Sequence, residues 1–208
     1  PGEPFFIFSI SYSFSDTSIK PVIFRDTSNS LLKTGRPLDV DVLQKERDRI
    51  EQYMKTKGYY DFMKQYIFYE VDSTLGSHSV AVNIGIKKQL VKDSTGNFIS
   101  VPHKVYKIRN TYVIPDYHAK RALARDSLYI ASFDTVGYAG IDFVFTGQPK
   151  GSKEILHQSV FVDENDVYNI EKVKTTYDHL SSLELYNIIN IQFKRLTPLS
   201  TLRQADTA

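Results

Sequence analysis

The sequence predicts an α+β protein of two tandem units, each built from a strand, a short helix, a long helix and a closing strand pair. Three observations carry this. A long amphipathic helix stops at a glycine and is followed by two alternating strands; the pattern returns at an offset of 101 residues, from Phe5 to Tyr106; and a polar stretch separates the copies.

In the first copy, Phe5 to Phe14 alternates as a strand with a bulge near Ser9, because Phe5, Ile7, Ile10 and Tyr12 do not keep a strict period of two. Val22 to Leu32 reads as a short, weak helix. The main helix spans about Asp39 to Lys57 and sets Val40, Leu43, Ile50, Tyr53 and Met54 on one face, with acids early and lysines late as the helix dipole favours. Gly58 ends it, taking the left-handed conformation that a side chain disfavours. Two strands follow: Gln65 to Asp72, with Ile67, Tyr69 and Val71 inward, and His78 to Lys87, with Val80, Val82, Ile84 and Ile86 inward. Ser73 to Ser77 connects them as a hairpin turn.

The polar residues between Lys87 and Pro102, centred on Asp93-Ser94-Thr95-Gly96-Asn97, mark the boundary. The expected division is a first domain over 1–90, a linker over 91–103 and a second domain over 104–208. In the second copy, Tyr106 to Asn110 echoes Phe5 to Ser9, and a helix carrying Ile170, Val173, Tyr177, Leu180 and Leu183 precedes a strand from Tyr186 to Phe193. The offset grows to 126 between Gly58 and Glu184, so an insertion is expected at about 118–147, with Leu128 to Phe133 and Ile141, Phe143 and Phe145 as an embellishing hairpin. Glu184 stands where the first copy has Gly58. The tail Thr197 to Ala208 has too few apolar residues for a last core strand, so the second unit reads as truncated at its C-terminus, and a start without Met fits a segment of a longer protein.

Chemistry is sparse. With 26 basic and 24 acidic residues the formal charge is +2, and no run of five like charges occurs, which argues against nucleic acid as a partner. The basic cluster His103, Lys104, Lys107 and Arg109 alternates with Val105, Tyr106 and Ile108, as a half-buried strand does. Cysteine is absent, which excludes disulfides and thiolate metal sites. The five histidines lack any spacing that would present two metal ligands on one helix face, and no phosphate-cradling glycine loop is present, so no metal and no cofactor are expected. Gly76-Ser77-His78-Ser79 sets a nucleophile beside a base in sequence, but adjacent strand residues point apart and the pattern reads as a turn. No apolar run approaches the ~18 residues that cross a bilayer as a helix.

The unusual quantity is aromatic: 14 Tyr and 13 Phe without a Trp. Tyr66 and Phe68 fall on the face of their strand opposite Ile67, Tyr69 and Val71. Packing against a neighbouring element explains them, and so does a strand edge that receives an extended peptide, for which Lys64, Tyr66, Phe68 and Glu70 are the candidate contacts.

Gly35, Arg47 inside the helix, and Gly58-Tyr59-Tyr60 ahead of a strand form a signature that resembles the POTRA domain of BamA/TamA-class outer-membrane-protein assembly factors. The resemblance covers Phe5 to Lys87 well and Lys104 to Phe193 loosely, and the polar spacers look like those of Bacteroidetes members. It implies tandem β-α-α-β-β units, each a small mixed sheet with helices on one face, in the periplasmic portion of an outer-membrane protein. It further implies no catalysis: such units bind nascent outer-membrane proteins and accessory assembly subunits by sheet extension and deliver clients to a C-terminal membrane barrel of the parent chain. Two alternatives stay open at this point, a secreted carbohydrate-active enzyme or binding module, and the POTRA arm of a two-partner secretion pore.

Overall fold

The computed structural model describes residues 3–118, 120–121, 124, 131–145 and 152–196. Strand β1 (Phe6–Phe14) carries the expected bulge: its register with its neighbour shifts between Ile7 and Ser9, leaving Phe8 unpaired and 70% exposed. The weak helix expected over Val22 to Leu32 is broken into α1 (Lys20–Phe24), with Pro21 in its first turn, and a 3₁₀ turn at Thr27–Asn29. The run Asp26-Thr27-Ser28-Asn29-Ser30 breaks it, because short polar side chains bind nearby groups in place of continuing a helix; Asn29 Nδ2 donates to Asp26 Oδ1 at 2.7 Å.

Helix α2 (Val40–Thr56) is capped by Asp39, whose carboxylate accepts from the Asp41 amide at 2.8 Å. Leu43, Ile50 and Met54 are buried on the spacing read from sequence, but Val40, in the first turn, is 66% exposed. Glu46 is fully buried on that same apolar face. Its carboxylate accepts from the Leu31 amide and from Arg49, and Arg49 also pairs with Asp26, so one charged network ties the loop after α1 to α2. At the other end Gly58 has φ +95°, and the Tyr59 amide donates back to the Met54 carbonyl at 3.2 Å, closing the helix with a glycine-based stop.

Strands β2 (Ile67–Asp72) and β3 (Ser79–Ile86) complete a mixed sheet in the order β1-β3-β2, β1 parallel and β2 antiparallel to β3. Val80, Val82, Ile84 and Ile86 of β3 form one core with Leu43, Ile50 and Met54, as their periodicities predict. Gln65 and Tyr66, read as strand, instead sit in or at a 3₁₀ turn (Lys64–Tyr66).

The stretch read as a linker is folded. Strands β4 (Gln89–Lys92) and β5 (Phe98–Val101) form an antiparallel hairpin, whose turn is organised by Asp93 accepting from the amides of Thr95 and Asn97.

In the second unit a short β6 (Thr111–Val113) pairs in parallel with β8 (Ile141–Phe145), and β7 (Asp134–Tyr138) flanks β8 antiparallel, giving the order β6-β8-β7. The hairpin expected as an embellishment therefore supplies the sheet. Its first arm is Asp134–Tyr138, turned on Ala139 and Gly140, both at positive φ; of the stretch read as that arm, Ala131 to Phe133 lie in no strand and Leu128 to Ile130 lie outside the described residues. Ile141, Phe143 and Phe145 bury against Leu156 of α3 (Lys153–Ser159), with Leu180 and Leu183 of and beyond α4 (Ile170–Ser182) packed around them. Tyr186 to Phe193, predicted as a strand, pairs with no strand among the described residues: β8 already has a neighbour on each side. The tail from Thr197 lies outside the described residues.

Candidate functional site

β2 stands at the edge of its sheet, so one side of its backbone has no strand partner among the described residues. Such a row of N–H and C=O groups can accept a further strand. The four candidate contacts are not equivalent there. Phe68 and Glu70 lie on the sheet face opposite the helices, facing Gly85 and Asn83 of β3, and Glu70 Oε2 accepts from Asn83 Nδ2 at 2.8 Å. Lys64 precedes the strand; its ammonium binds Asp48 at 2.7 Å, which holds the amine above its ordinary range, and its amide donates to Glu51. Tyr66 turns inward and stacks edge-on against Phe62 and His103, with centroids 5.9 and 4.9 Å away. Tyr66 is thus half-buried in the turn that precedes the edge strand.

The signature residues have distinct places. Gly35, at φ +76°, donates its amide to the Ile7 carbonyl and ties the loop before α2 to β1. Arg47 lays its guanidinium 5.1 Å from the centre of the Tyr69 ring, whereas the buried ion network uses Arg49, two residues on. Burial pushes the Tyr69 phenol well above its usual range, and its hydroxyl donates to the Leu43 carbonyl at 2.9 Å. Tyr59 is buried in the first core.

Gly58 and Tyr60 form the joint between the units. A β-carbon at Gly58 would stand 2.6 Å from Val167 Cγ1 and 2.7 Å from Val105 Cγ1, and the Gly58 carbonyl accepts from the Tyr106 amide at 2.9 Å. The Tyr60 ring meets Tyr106, Tyr168 and Phe193 with centroids 5.0 to 5.9 Å apart. Burial pushes the Tyr168 phenol up to about 12. Asp61 receives the Tyr106 hydroxyl and pairs with Arg195. Behind the joint, the buried Asp16 carboxylate accepts from the His103 amide at 2.7 Å, fastening the end of the β4–β5 hairpin to the first unit. Sequence reading marked Gly58 as a helix stop ahead of Tyr59 and Tyr60 but missed that Gly58 and Tyr60 receive the second unit, since local spacing carries no signal of a partner about 46 or more residues away.

Among the described residues no group of three His, Asp or Glu is placed to hold a metal ion, and no helix is long and apolar enough to cross a membrane. No protein-family model matches the sequence, and no curated protein matches it either. Among solved structures, the chain is similar to the N-terminal domain of Omp85 from the cyanobacterium Thermosynechococcus elongatus, with 9% identity, coverage of 93% of this chain and 92% of that one, and a TM-score of 0.28. It is similar to POTRA1-3 of the periplasmic domain of Omp85 from Anabaena, with 10% identity, coverage of 91% and 89% and a TM-score of 0.30. A third is POTRA3-5 of Haemophilus influenzae BamA, with 11% identity, coverage of 94% and 92% and a TM-score of 0.30.

Proposed function

We propose that the chain is a pair of POTRA-like units from the periplasmic arm of a BamA/TamA-like assembly or translocation factor, and that it binds extended client segments by adding them as a strand along β2. Its partners in this reading are nascent outer-membrane proteins, accessory assembly subunits and a membrane barrel in the parent chain, and it performs no chemistry. The observation that carries the reading is the six-residue edge strand β2, paired on one side only among the described residues. Main-chain pairing supplies affinity there with little sequence demand, which suits many clients. Phe68 and Glu70 are already engaged with Gly85 and Asn83, so side chains add little. One added strand buries a small area and must order a flexible peptide, which puts affinity in the micromolar range or weaker.

The test is an NMR titration of the labelled chain with extended outer-membrane-strand peptides. Shifts at the amides of Ile67 to Asp72 support the reading. Saturating peptide that leaves those amides in place refutes the site.

A further inference from the structure

We infer that Arg47 makes the β2 edge selective for client segments that carry an acidic side chain at the residue pairing with Tyr69. The inference rests on the reading of β2 as a receiving edge and adds a demand on the helix-facing side of the incoming strand, where Phe68 and Glu70 play no part. The backbone fixes the position. The Lys87 amide donates to the Tyr66 carbonyl at 2.9 Å, and bonded residues alternate in an antiparallel pair, so Phe68 and Glu70 turn their backbone groups toward β3 while Ile67, Tyr69 and Val71 turn theirs away. The Ile67 amide is already taken by the Lys64 carbonyl. Among the described residues, Tyr69 is therefore the first of the edge with both its N–H and its C=O open to a new strand.

The cation over Tyr69 has donors to spare. The Tyr69 side chain lies on the helix side, its hydroxyl bonded to the Leu43 carbonyl, and the Arg47 guanidinium rests 5.1 Å from its ring centre. Among the described residues no carboxylate pairs with Arg47: Nη1 reaches only Gln44 Oε1, at a long 3.4 Å, and Nε is buried without an acceptor. Its neighbours are committed, Arg49 to Glu46 and Asp26, Lys55 to Glu51 and Lys64 to Asp48, so the acids of that helix face already have partners. On an added antiparallel strand, the residue paired with Tyr69 projects from the same face with its β-carbon about 5 Å from that of Tyr69, which brings a long side chain to the guanidinium. A guanidinium held on an aromatic ring presents its donors as a fixed fork, which a carboxylate accepts in pairs and an ammonium group cannot. A client ending in its terminal carboxylate at Tyr69 would leave open groups of Ile67 or Val71 unpaired. The side-chain carboxylate of a through-running segment is therefore the source that fits this edge.

The probes are peptides Thr-Val-Thr-Xaa-Thr-Val-Thr, blocked at both ends, with Glu, Gln or Lys at the centre, titrated into the labelled full chain at low salt. The Glu peptide should shift the amides of Tyr69 and Val71 saturably and bind about three- to tenfold more tightly than the Gln peptide, with the Lys peptide weaker still. Raising salt to about 0.5 M should remove most of the Glu advantage. Arg47→Gln in the protein should bring the Glu peptide down to the level of the Gln peptide, while Lys45→Gln, at an exposed position on the same helix, should not. Equal binding of the Glu and Gln peptides at those amides would overturn the acid preference and leave strand addition standing. An equal loss for both peptides on Arg47→Gln would overturn it too, by making Arg47 a support of the edge. A Gln peptide that gains as much from an unblocked C-terminus would overturn the side-chain source. If no peptide shifts Tyr69 or Val71, strand addition along β2 fails and the inference falls with it.

Discussion

The ring of Phe68 lies across Gly85, the residue directly opposite it on β3, and a β-carbon built on Gly85 would overlap that ring. The Lys87 ammonium sits 5.1 Å from the ring's centre. An aromatic side chain covering a cross-strand glycine pins strand register and replaces the packing the glycine lacks. The edge strand is therefore clamped to its own sheet through Phe68 and offers the backbone of its free side.

Gly85→Ala should destabilise the chain by about 1–3 kcal/mol, the usual cost of overpacking. Phe68→Ala on that background should cost much less than in the parent, with a coupling of at least about 0.5 kcal/mol. Urea unfolding of the two single variants and the double variant measures it, and additive values would show that the ring and the glycine are independent.

Gly58→Val forces a branched side chain into a left-handed backbone, a cost of about 1–2 kcal/mol, and collides with Val105 and Val167. Gly35→Val, also left-handed but with open space around it, should pay the backbone cost alone. The expected signature is therefore a larger loss at Gly58, together with a greater radius of gyration by small-angle scattering as the joint opens. Equal losses with unchanged scattering would argue that Gly58 serves the helix end only.

Ile50→Asp places a carboxylate in the centre of the first core, where Ile50 is buried beside Met54 and the β3 face. It should abolish the first unit's cooperative transition, because an unpaired buried charge costs several kcal/mol against a typical total of about 5–15. An unchanged melting curve would show that the α2 register is wrong.

Asp16 makes part of the stability pH-dependent. Burial pushes its carboxyl up, but hydrogen bonds from the Ser18 hydroxyl and from the His103 and Ser18 amides outweigh it and hold it below the ordinary range. A carboxyl lowered on folding contributes fully above its unfolded value, about 3.9, and loses that contribution as pH falls through the folded value. The parent should therefore lose stability on acidification below about pH 4 more steeply than Asp16→Asn. Chemical denaturation across that range reads the difference in slope, and parallel curves would remove Asp16 from the account.

Much of the first unit was legible because its elements are amphipathic: β1 with its bulge, the α2 register through Leu43, Ile50 and Met54, the glycine stop and the inward face of β3 all follow from apolar spacing. Glu46 was not, since a carboxylate on an apolar stripe reads as solvent-facing until Leu31 and Arg49 are seen to satisfy it. The second sheet was misread for a related reason. Periodicity identified the strand Ile141 to Phe145 but not its partner, and only tertiary contact shows that it pairs with Thr111 to Val113. The edge position of β2 follows the resemblance, whereas the inward turn of Tyr66 depends on His103, 37 residues away in sequence, which local pattern does not reach.

The two sheets share an order but not a sequence separation, and this sets the tempo of folding. Thr111 pairs with Ile141 across 30 residues, whereas Phe6 must find Ser79 across 73. Closing the longer loop costs about 0.8 kcal/mol more chain entropy, and pairing distant in sequence slows folding. The later-synthesised sheet is thus the quicker to close, but Val105 and Val167 have no seat until α2 has ended at Gly58. Docking of the second unit therefore waits on the end of α2, however early its own sheet closes.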